Sequence, residues 1–275
     1  MTDSQTVTTQ GGVPTRWEEA GEGFPVVFVH GIPTSPALWR YVIPHVKGAR
    51  CLAMEMVGYG QSTAAGEGRD ISVDRQADYL LSWLSEIGVD RAIFVGHDLG
   101  GGVAQIVAAR SPERCAGLLL TNAVGYDSWP IPAVKGIQRA AGMIARMPPA
   151  MMPSVLAPLM LRGHDDPAMA MECLRVHART YTQPGGPSAL ARQASALDVS
   201  DTLAVQKVLP HLGVPARVIW GAADQFQKVR YGERFAVDLD TPLQRIEGGK
   251  HFTPEDHPGI LAAATNELVW ATAGG

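Results

Sequence analysis

The stretch Ile93-Phe94-Val95-Gly96-His97-Asp98-Leu99-Gly100-Gly101-Gly102 runs from an apolar segment into glycines and then into an alanine-rich segment. Four of the five residues from Arg91 to Val95 are apolar, which predicts a buried strand. The alanine-rich run Val103 to Arg110 predicts a helix. Between them lies G-x-D-x-G, the pattern of a sharp strand-to-helix turn that exposes its middle side chain and is usually built on serine. Glycines suit such a turn because a side chain would collide with the turn or the helix after it. Asp98 at the centre has two readings, a helix N-cap or an exposed carboxylate nucleophile.

Moving outward, the chain alternates short apolar runs with helical patterns. Residues Val7 to Glu19 predict a pair of edge strands, and Pro25 to Val29 predicts a buried strand ending at His30-Gly31-Ile32-Pro33-Thr34-Ser35. Trp39 and Arg40 fall on a first short helix. Cys51 to Val57 is the next strand and closes in Gly58-Tyr59-Gly60-Gln61-Ser62. Ser72 caps a helix whose apolar positions Val73, Ala77, Leu80, Leu81, Leu84 and Ile87 share one face. Ala116 to Val124 predicts a strand after the Asp98 helix. The rhythm resumes at Pro215 to Trp220, which runs into Gly221-Ala222-Ala223-Asp224, then a helix at Tyr231 to Leu239 and a strand at Leu243 to Glu247 before His251. Thr253 is the expected N-cap of the last helix, with Pro254 first inside it and Asp256 completing a capping box. Strands alternating with helices imply a parallel sheet with right-handed crossovers, whose ligands bind beyond the carboxyl ends of the strands.

Between Asp127 and Leu203 no strand pattern appears. Prolines and glycines divide helical pieces, including Val134 to Met147 and Ala168 to Arg179, so a helical insertion is expected there. Seven of the ten methionines, Met143, Met147, Met151, Met152, Met160, Met169 and Met171, fall in it. Most are expected to fill gaps between short helices, and one or two to line an apolar pocket.

Composition narrows the function. The 275 residues are 46% hydrophobic and 18% charged, enough for a substantial core in one large domain or two small ones. A net charge of −4 gives no reason to expect nucleic acid or an anionic membrane as partner. Cys51, Cys115 and Cys173 fit neither a zinc spacing nor a disulfide framework, and favour a reducing, cytoplasmic setting. The N-terminus, Met1 to Gln10, lacks the apolar segment of a secretory signal, and no run is long enough to span a bilayer.

Asp98, Asp224 and His251 each end a predicted strand, in the chain order nucleophile, acid, histidine. With His30-Gly31-Ile32-Pro33-Thr34-Ser35, Trp39-Arg40, Gly58-Tyr59-Gly60-Gln61-Ser62, Gly96-His97-Asp98-Leu99-Gly100-Gly101, Gly221-Ala222-Ala223-Asp224, and His251-Phe252 with Glu255-Asp256-His257-Pro258, the chain resembles an α/β-hydrolase. The branch it resembles holds the epoxide hydrolases and haloalkane dehalogenases, and the likeness runs over nearly the whole chain. It implies a mostly parallel, eight-stranded sheet flanked by helices, with 1–126 and 204–275 as core and 127–203 as a helical cap.

It also implies a chemistry. An aspartate is ionised at neutral pH and attacks without a base. Asp98 would displace a leaving group at saturated carbon and form an alkyl ester. His251, oriented by Asp224, would activate the water that cleaves the ester, and the N–H groups of Ile32 and Leu99 would form the oxyanion hole. Haloalkane dehalogenases of this branch cradle the halide with a tryptophan after the nucleophile and an asparagine, or a second tryptophan, elsewhere. Here Leu99 and Gly31 stand in the first two places, which leaves Trp39 or Trp129 as substitutes. The arginines of fluoroacetate-type dehalogenases are absent from Leu99-Gly100-Gly101-Gly102. Epoxide hydrolases protonate the ring oxygen from cap donors, for which Tyr181 is the first candidate, then His177 and Tyr126. The family's tyrosine-arginine pair after two glycines reads Ala191-Arg192 in this chain. The expected reaction is epoxide hydrolysis to a diol, with carbon–halogen hydrolysis as the alternative and a ligand-binding protein of this fold third. The expected partner is a small-molecule substrate, with neither nucleic acid nor membrane, and a homodimer stays open. No metal or organic cofactor is implied.

Overall fold

The computed structural model describes residues 3–273. Strands β1 (Asp3–Thr8) and β2 (Pro14–Ala20) form an antiparallel edge ribbon, and β2 pairs antiparallel with β4 (Ala49–Glu55). Strands β3 (Phe24–Val29), β5 (Ala92–His97), β6 (Cys115–Thr121), β7 (Ala216–Gly221) and β8 (Leu243–Ile246) continue in parallel. The single sheet has eight strands in the order β1-β2-β4-β3-β5-β6-β7-β8. The chain is thus an α/β-hydrolase fold, as its sequence leads one to expect.

The central strands are apolar on both sides because both faces of the sheet are covered. Val27, Val29 and Phe94 pack into one cluster, while Val26, Phe28, Ile93 and Val95 pack into the other, the period-two alternation of a strand. Helices α1 (Val73–Glu86) and α2 (Leu99–Arg110) follow β4 and β5, and α2 is buried almost throughout. Ser72 caps α1 by accepting from the Arg75 N–H at 3.2 Å. In register, Val29 lies beside Gly96, so the loops after β3 and β5 emerge side by side at the carboxyl edge.

Six helices separate β6 from β7: α3 (Pro132–Arg139), α4 (Ala141–Ile144), α5 (Met152–Gly163), α6 (Pro167–Tyr181), α7 (Gly186–Ser195) and α8 (Ser200–Leu203). Among the described residues, none between Asn122 and Pro215 is in a strand. The piece expected at Val134 to Met147 is broken at Ala140 (φ −96°, ψ 9°), where Gly136 and Gly142 weaken helix propensity on both sides. Met152 and Met160 are core, whereas Met143 is 73% exposed. No methionine lines the cavity over Asp98, so the expectation of a methionine pocket fails.

The chain closes with α9 (Val229–Asp238), α10 (Thr253–Asp256) and α11 (Pro258–Ala273). One last helix capped by Thr253 is therefore incorrect. Pro258 drives His257 out of helical geometry (φ −131°, ψ 49°) and divides it in two. The Thr253 hydroxyl meets Thr121 Oγ1 at 2.7 Å and donates to Asn122 Oδ1 at 3.3 Å instead of capping. No helix of the described residues is long and apolar enough to cross a membrane.

Candidate active site

Asp98 sits at φ 52°, ψ −122°, outside the regions that L residues ordinarily occupy. Such strain persists only where the surroundings impose it. They do so by leaving no slack: a Cβ on Gly100 would lie 2.0 Å from the Val29 carbonyl oxygen, so strand and helix can meet this closely only at glycine. Although Asp98 occupies the N-cap position of α2, its side chain makes no capping hydrogen bond. Its Oδ1 instead accepts from the Ile32 N–H at 3.1 Å, and its Oδ2 lies 3.6 Å from His251 Nε2. Gly31 gives that approach its room, since a Cβ there would stand 2.3 Å from Asp98 Oδ1. Burial raises the Asp98 pKa, and His251, the Leu99 N–H and the Ile32 N–H offset that only in part.

His251 follows β8, and its Nδ1 donates to Asp224 Oδ2 at 2.8 Å. Burial alone would lower the His251 pKa, but the charge and hydrogen bond of Asp224, with Asp98 nearby, leave it raised. Asp224 is held from four sides. Its Oδ1 accepts from the Phe226 N–H (2.6 Å) and the Gln227 N–H (3.1 Å). Its Oδ2 accepts from Asn122 Nδ2 (2.6 Å) besides His251. The three residues from separate strand ends thus meet in one buried cluster.

Several further groups position this cluster. Asn122, just past β6, orients Asp224 with its amide nitrogen while its Oδ1 accepts from the Gly221 N–H at 3.1 Å. His97 Nε2 donates to the His251 carbonyl at 2.9 Å, and burial keeps that ring's pKa well below the ordinary value. His30 donates from Nδ1 to the Gly31 carbonyl (2.9 Å) and accepts at Nε2 from the Met56 N–H (3.2 Å), which fixes the loop that presents Ile32. Desolvation lowers the His30 pKa to about 4, so the neutral ring this bridge requires is the one present. From the inserted helices, the Gly163 carbonyl accepts from both the His251 N–H (2.9 Å) and the Phe252 N–H (3.0 Å). His30 and His97 lie within the quoted motifs without a role assigned from sequence, Asn122 carries only the weak signal of an αL residue at a strand end (φ 44°), and Gly163 carries none.

Asp98 and His251 open into an apolar cavity of about 60 Å³. Val134 and Ile137 of α3, Leu156 and Leu159 of α5, and Leu190 of α7 face Ile32, Leu99 and Phe252 across it. Gln227 is the one other residue of the lining with a polar side chain that has a free atom: its Oε1 is buried with no hydrogen-bond partner among the described residues. The amide ends interchange by rotation, so the NH2 can equally occupy the place of that oxygen.

The three expected proton donors do not reach this space. Tyr181 is buried, but its hydroxyl donates to Gln193 Oε1 at 2.8 Å, and that amide donates in turn to the Gly58 carbonyl at 2.8 Å. His177 Nε2 donates to Glu255 Oε1 at 3.0 Å. The Tyr126 hydroxyl donates to Asp238 Oδ2 at 2.7 Å, toward α9. None of the three lines the cavity. Helical spacing placed Tyr181 and His177 on the buried face of α6 without saying which buried space that face meets. Trp129 does line the cavity, yet its Nε1 donates to Thr202 Oγ1 at 2.8 Å, and Trp39 lies outside it.

A family model described as "alpha/beta hydrolase fold" matches residues 25–159. The chain is 36% identical over 113 residues to bifunctional epoxide hydrolase 2 of Sus scrofa, a match covering 40% of this chain and 20% of that protein. It is 27% identical over 261 residues to haloalkane dehalogenase 2 of Mycobacterium tuberculosis, covering 90% and 89% of the two chains. Among solved structures, an alpha/beta hydrolase fold protein from Burkholderia ambifaria superposes with a TM-score of 0.88 at 22% identity, over 96% of this chain and 97% of that one.

Proposed function

The chain is an α/β-hydrolase with epoxide hydrolases and haloalkane dehalogenases among its homologues, and from this we propose that it hydrolyses a small, largely apolar substrate at saturated carbon through an alkyl ester on Asp98. The observation that carries the proposal is His251 bridging Asp224 and Asp98 at the floor of an apolar cavity, with the Ile32 N–H on the other oxygen of Asp98. Asp98 Oδ2 attacks the carbon, the leaving group departs with the bonding electrons, and an ester forms. His251 Nε2 then takes a proton from a water that adds to the Asp98 carboxyl carbon. Negative charge collects on Oδ1, where the Ile32 and Leu99 N–H groups stabilise it. Collapse releases the alcohol, which receives the proton from His251, and the water oxygen stays in the Asp98 carboxylate.

The cavity lining decides between leaving groups. An epoxide oxygen leaves well only if protonated, and the phenols and imidazole once expected to supply that proton are committed elsewhere. The Gln227 amide can solvate a departing halide but is no proton source. Carbon–halogen hydrolysis is therefore the first reading and epoxide hydrolysis the second, the latter favoured by the 36% match to an epoxide hydrolase. The buried free cysteines Cys51, Cys115 and Cys173 suit a cytoplasmic setting.

The test is His251→Gln, which retains the nucleophile and removes the base. Incubated with a bromoalkane or an aryl epoxide, it should accumulate an ester on the peptide containing Asp98. The mass gain is the alkyl group alone from the bromide and the whole substrate from the epoxide, so one spectrum separates the readings. Failure of both substrate classes to label Asp98 would reject the mechanism.

A further inference from the structure

Behind the His251 loop, α5 and α6 meet α10 around a second buried cluster that the proposed hydrolysis does not use. One ligand atom from each of His164, Cys173 and Glu255 lies within 4.8 Å of the other two. All three side chains are wholly buried. Two of their atoms, His164 Nε2 and Glu255 Oε2, have no hydrogen-bond partner among the described residues, yet they face each other at 3.4 Å. His164 Nδ1 donates to Asp256 Oδ1 at 3.1 Å, which turns Nε2 toward Glu255. Two wholly buried polar atoms are thus turned toward each other without a hydrogen bond, with the Cys173 side chain beside them.

We propose that His164, Cys173 and Glu255 form a binding site for a zinc-class divalent cation that fastens the inserted helices to the His251 loop.

The donor set, one imidazole, one thiol and one carboxylate, suits a borderline-soft ion such as zinc. Two N or O atoms bound at about 2.0–2.1 Å on a tetrahedral ion stand about 3.3 Å apart, close to the observed 3.4 Å. The surrounding groups already hold the ligands as a metal requires. Asp256 fixes the His164 ring from its far nitrogen, the partnership typical of metal-bound histidine. Arg40 and His177 both donate to Glu255 Oε1, which occupies that oxygen and leaves Oε2 free. Arg40 Nη2 also donates to Cys173 Sγ at 3.3 Å, which offsets only in part the burial and the Glu255 charge that raise the thiol's pKa, so the cation would displace the thiol proton on binding. Arg40 opposes a cation by its charge, but the charges balance. The dication and Arg40 together carry three positive charges, and the Cys173 thiolate, Glu255 and Asp256 carry three negative ones. A fourth position remains for water.

The ligands join parts that must move together for the loop to hold its shape. His164 directly follows α5, Cys173 lies on α6, and Glu255 lies on α10, four residues after His251. The spacing escapes sequence motifs because Glu255 is far along the chain from the other two and the cysteine stands alone.

The experiment uses the full chain, stripped with a chelator and titrated with cobalt(II) and with zinc. One equivalent of cobalt should bind with a thiolate-to-cobalt charge-transfer band, and zinc should raise the melting temperature in proportion to its excess over the dissociation constant. Cys173→Ser should abolish the band, Cys51→Ser should keep it, and His164→Gln should weaken zinc binding by at least about tenfold. X-ray absorption on the zinc-loaded wild type should show one sulfur at about 2.3 Å and needs no variant to fold. A folded wild type with no charge-transfer band at saturating cobalt, a band that survives Cys173→Ser, or a zinc shell without sulfur would overturn the site. The cluster would then be a proton-bridged ion network.

Discussion

Replacing Asp224 by Asn separates orientation from nucleophilicity in a single change. Asp224 accepts four hydrogen bonds, from two backbone N–H groups at Oδ1 and from Asn122 and His251 at Oδ2. An amide of the same shape has one acceptor oxygen and one NH2. With the oxygen kept on the backbone donors, the NH2 meets the Asn122 NH2 and the Nδ1–H of His251. Asn122 cannot rotate to relieve this, because its own oxygen holds the Gly221 N–H. His251 can, by moving its proton to Nε2, but that nitrogen then has no lone pair with which to accept a proton from water. Ester hydrolysis should fall on the order of 10³–10⁴-fold, as for a misassigned histidine tautomer in acyl transfer. Two lost hydrogen bonds to a charged group should lower stability by roughly 3–6 kcal/mol. Formation of the ester, which needs only Asp98 and Ile32, should change by less than about tenfold. Rapid quench with intact-protein mass spectrometry gives both rates, and thermal unfolding gives the stability. If hydrolysis slowed by less than about thirtyfold, the His251–Asp224 contact would not be setting the tautomer and the mechanism would need a different base.

Other expectations follow from single contacts. Tyr181→Phe should leave ester formation from either substrate class within about twofold and lower stability by about 1 kcal/mol, because the hydroxyl serves Gln193; a hundredfold loss of epoxide opening would return Tyr181 to the site. Gly31→Ala should reduce ester formation at least about a hundredfold, since its Cβ would stand 2.3 Å from Asp98 Oδ1, and a variant with wild-type rate would show that the loop yields freely. His251 has a pKa raised above the ordinary 6.5, so ester hydrolysis should decline on acidification from a point above pH 6.5, as the base becomes protonated. The same shift contributes stability that is fully present below pH 6.5 and is lost as pH rises through the raised value. Single-turnover hydrolysis between pH 5 and 9 measures the limb, and a midpoint below 6.5 would contradict the shift.

The parts of the site that lie at strand ends could be read from the chain, and the parts that lie between elements could not. Asp98, Asp224 and His251 each follow an apolar run into a loop, and parallel-sheet topology then brings strand ends to one edge. Asn122 also follows a strand, but an asparagine there is equally a turn residue, and only the fold brings it to Asp224 across 102 positions. The inserted helices were harder. Periodicity identifies α6 as having a buried face, yet that face meets Glu255 and Gln193 rather than the cavity. Gln227 lines the cavity without a sequence signal, since a polar residue after a strand ordinarily reads as solvated loop. The last helix splits because Pro258 is a stronger local constraint than the capping signals at Thr253.

The Gly163 carbonyl receives two amide hydrogens of the loop that carries His251, and a Cβ at Gly163 would strike the Phe252 ring at 2.6 Å. The helical insertion and the proposed base therefore share one seam. On the proposed mechanism, residues at the end of α5 that line no part of the cavity could reset the lifetime of the ester on Asp98 while leaving the cavity walls as they are. In a lineage that changes its substrates by rebuilding the insertion, the choice of molecule and the pace of its release would be inherited together through this seam, so that selection for one drags the other along.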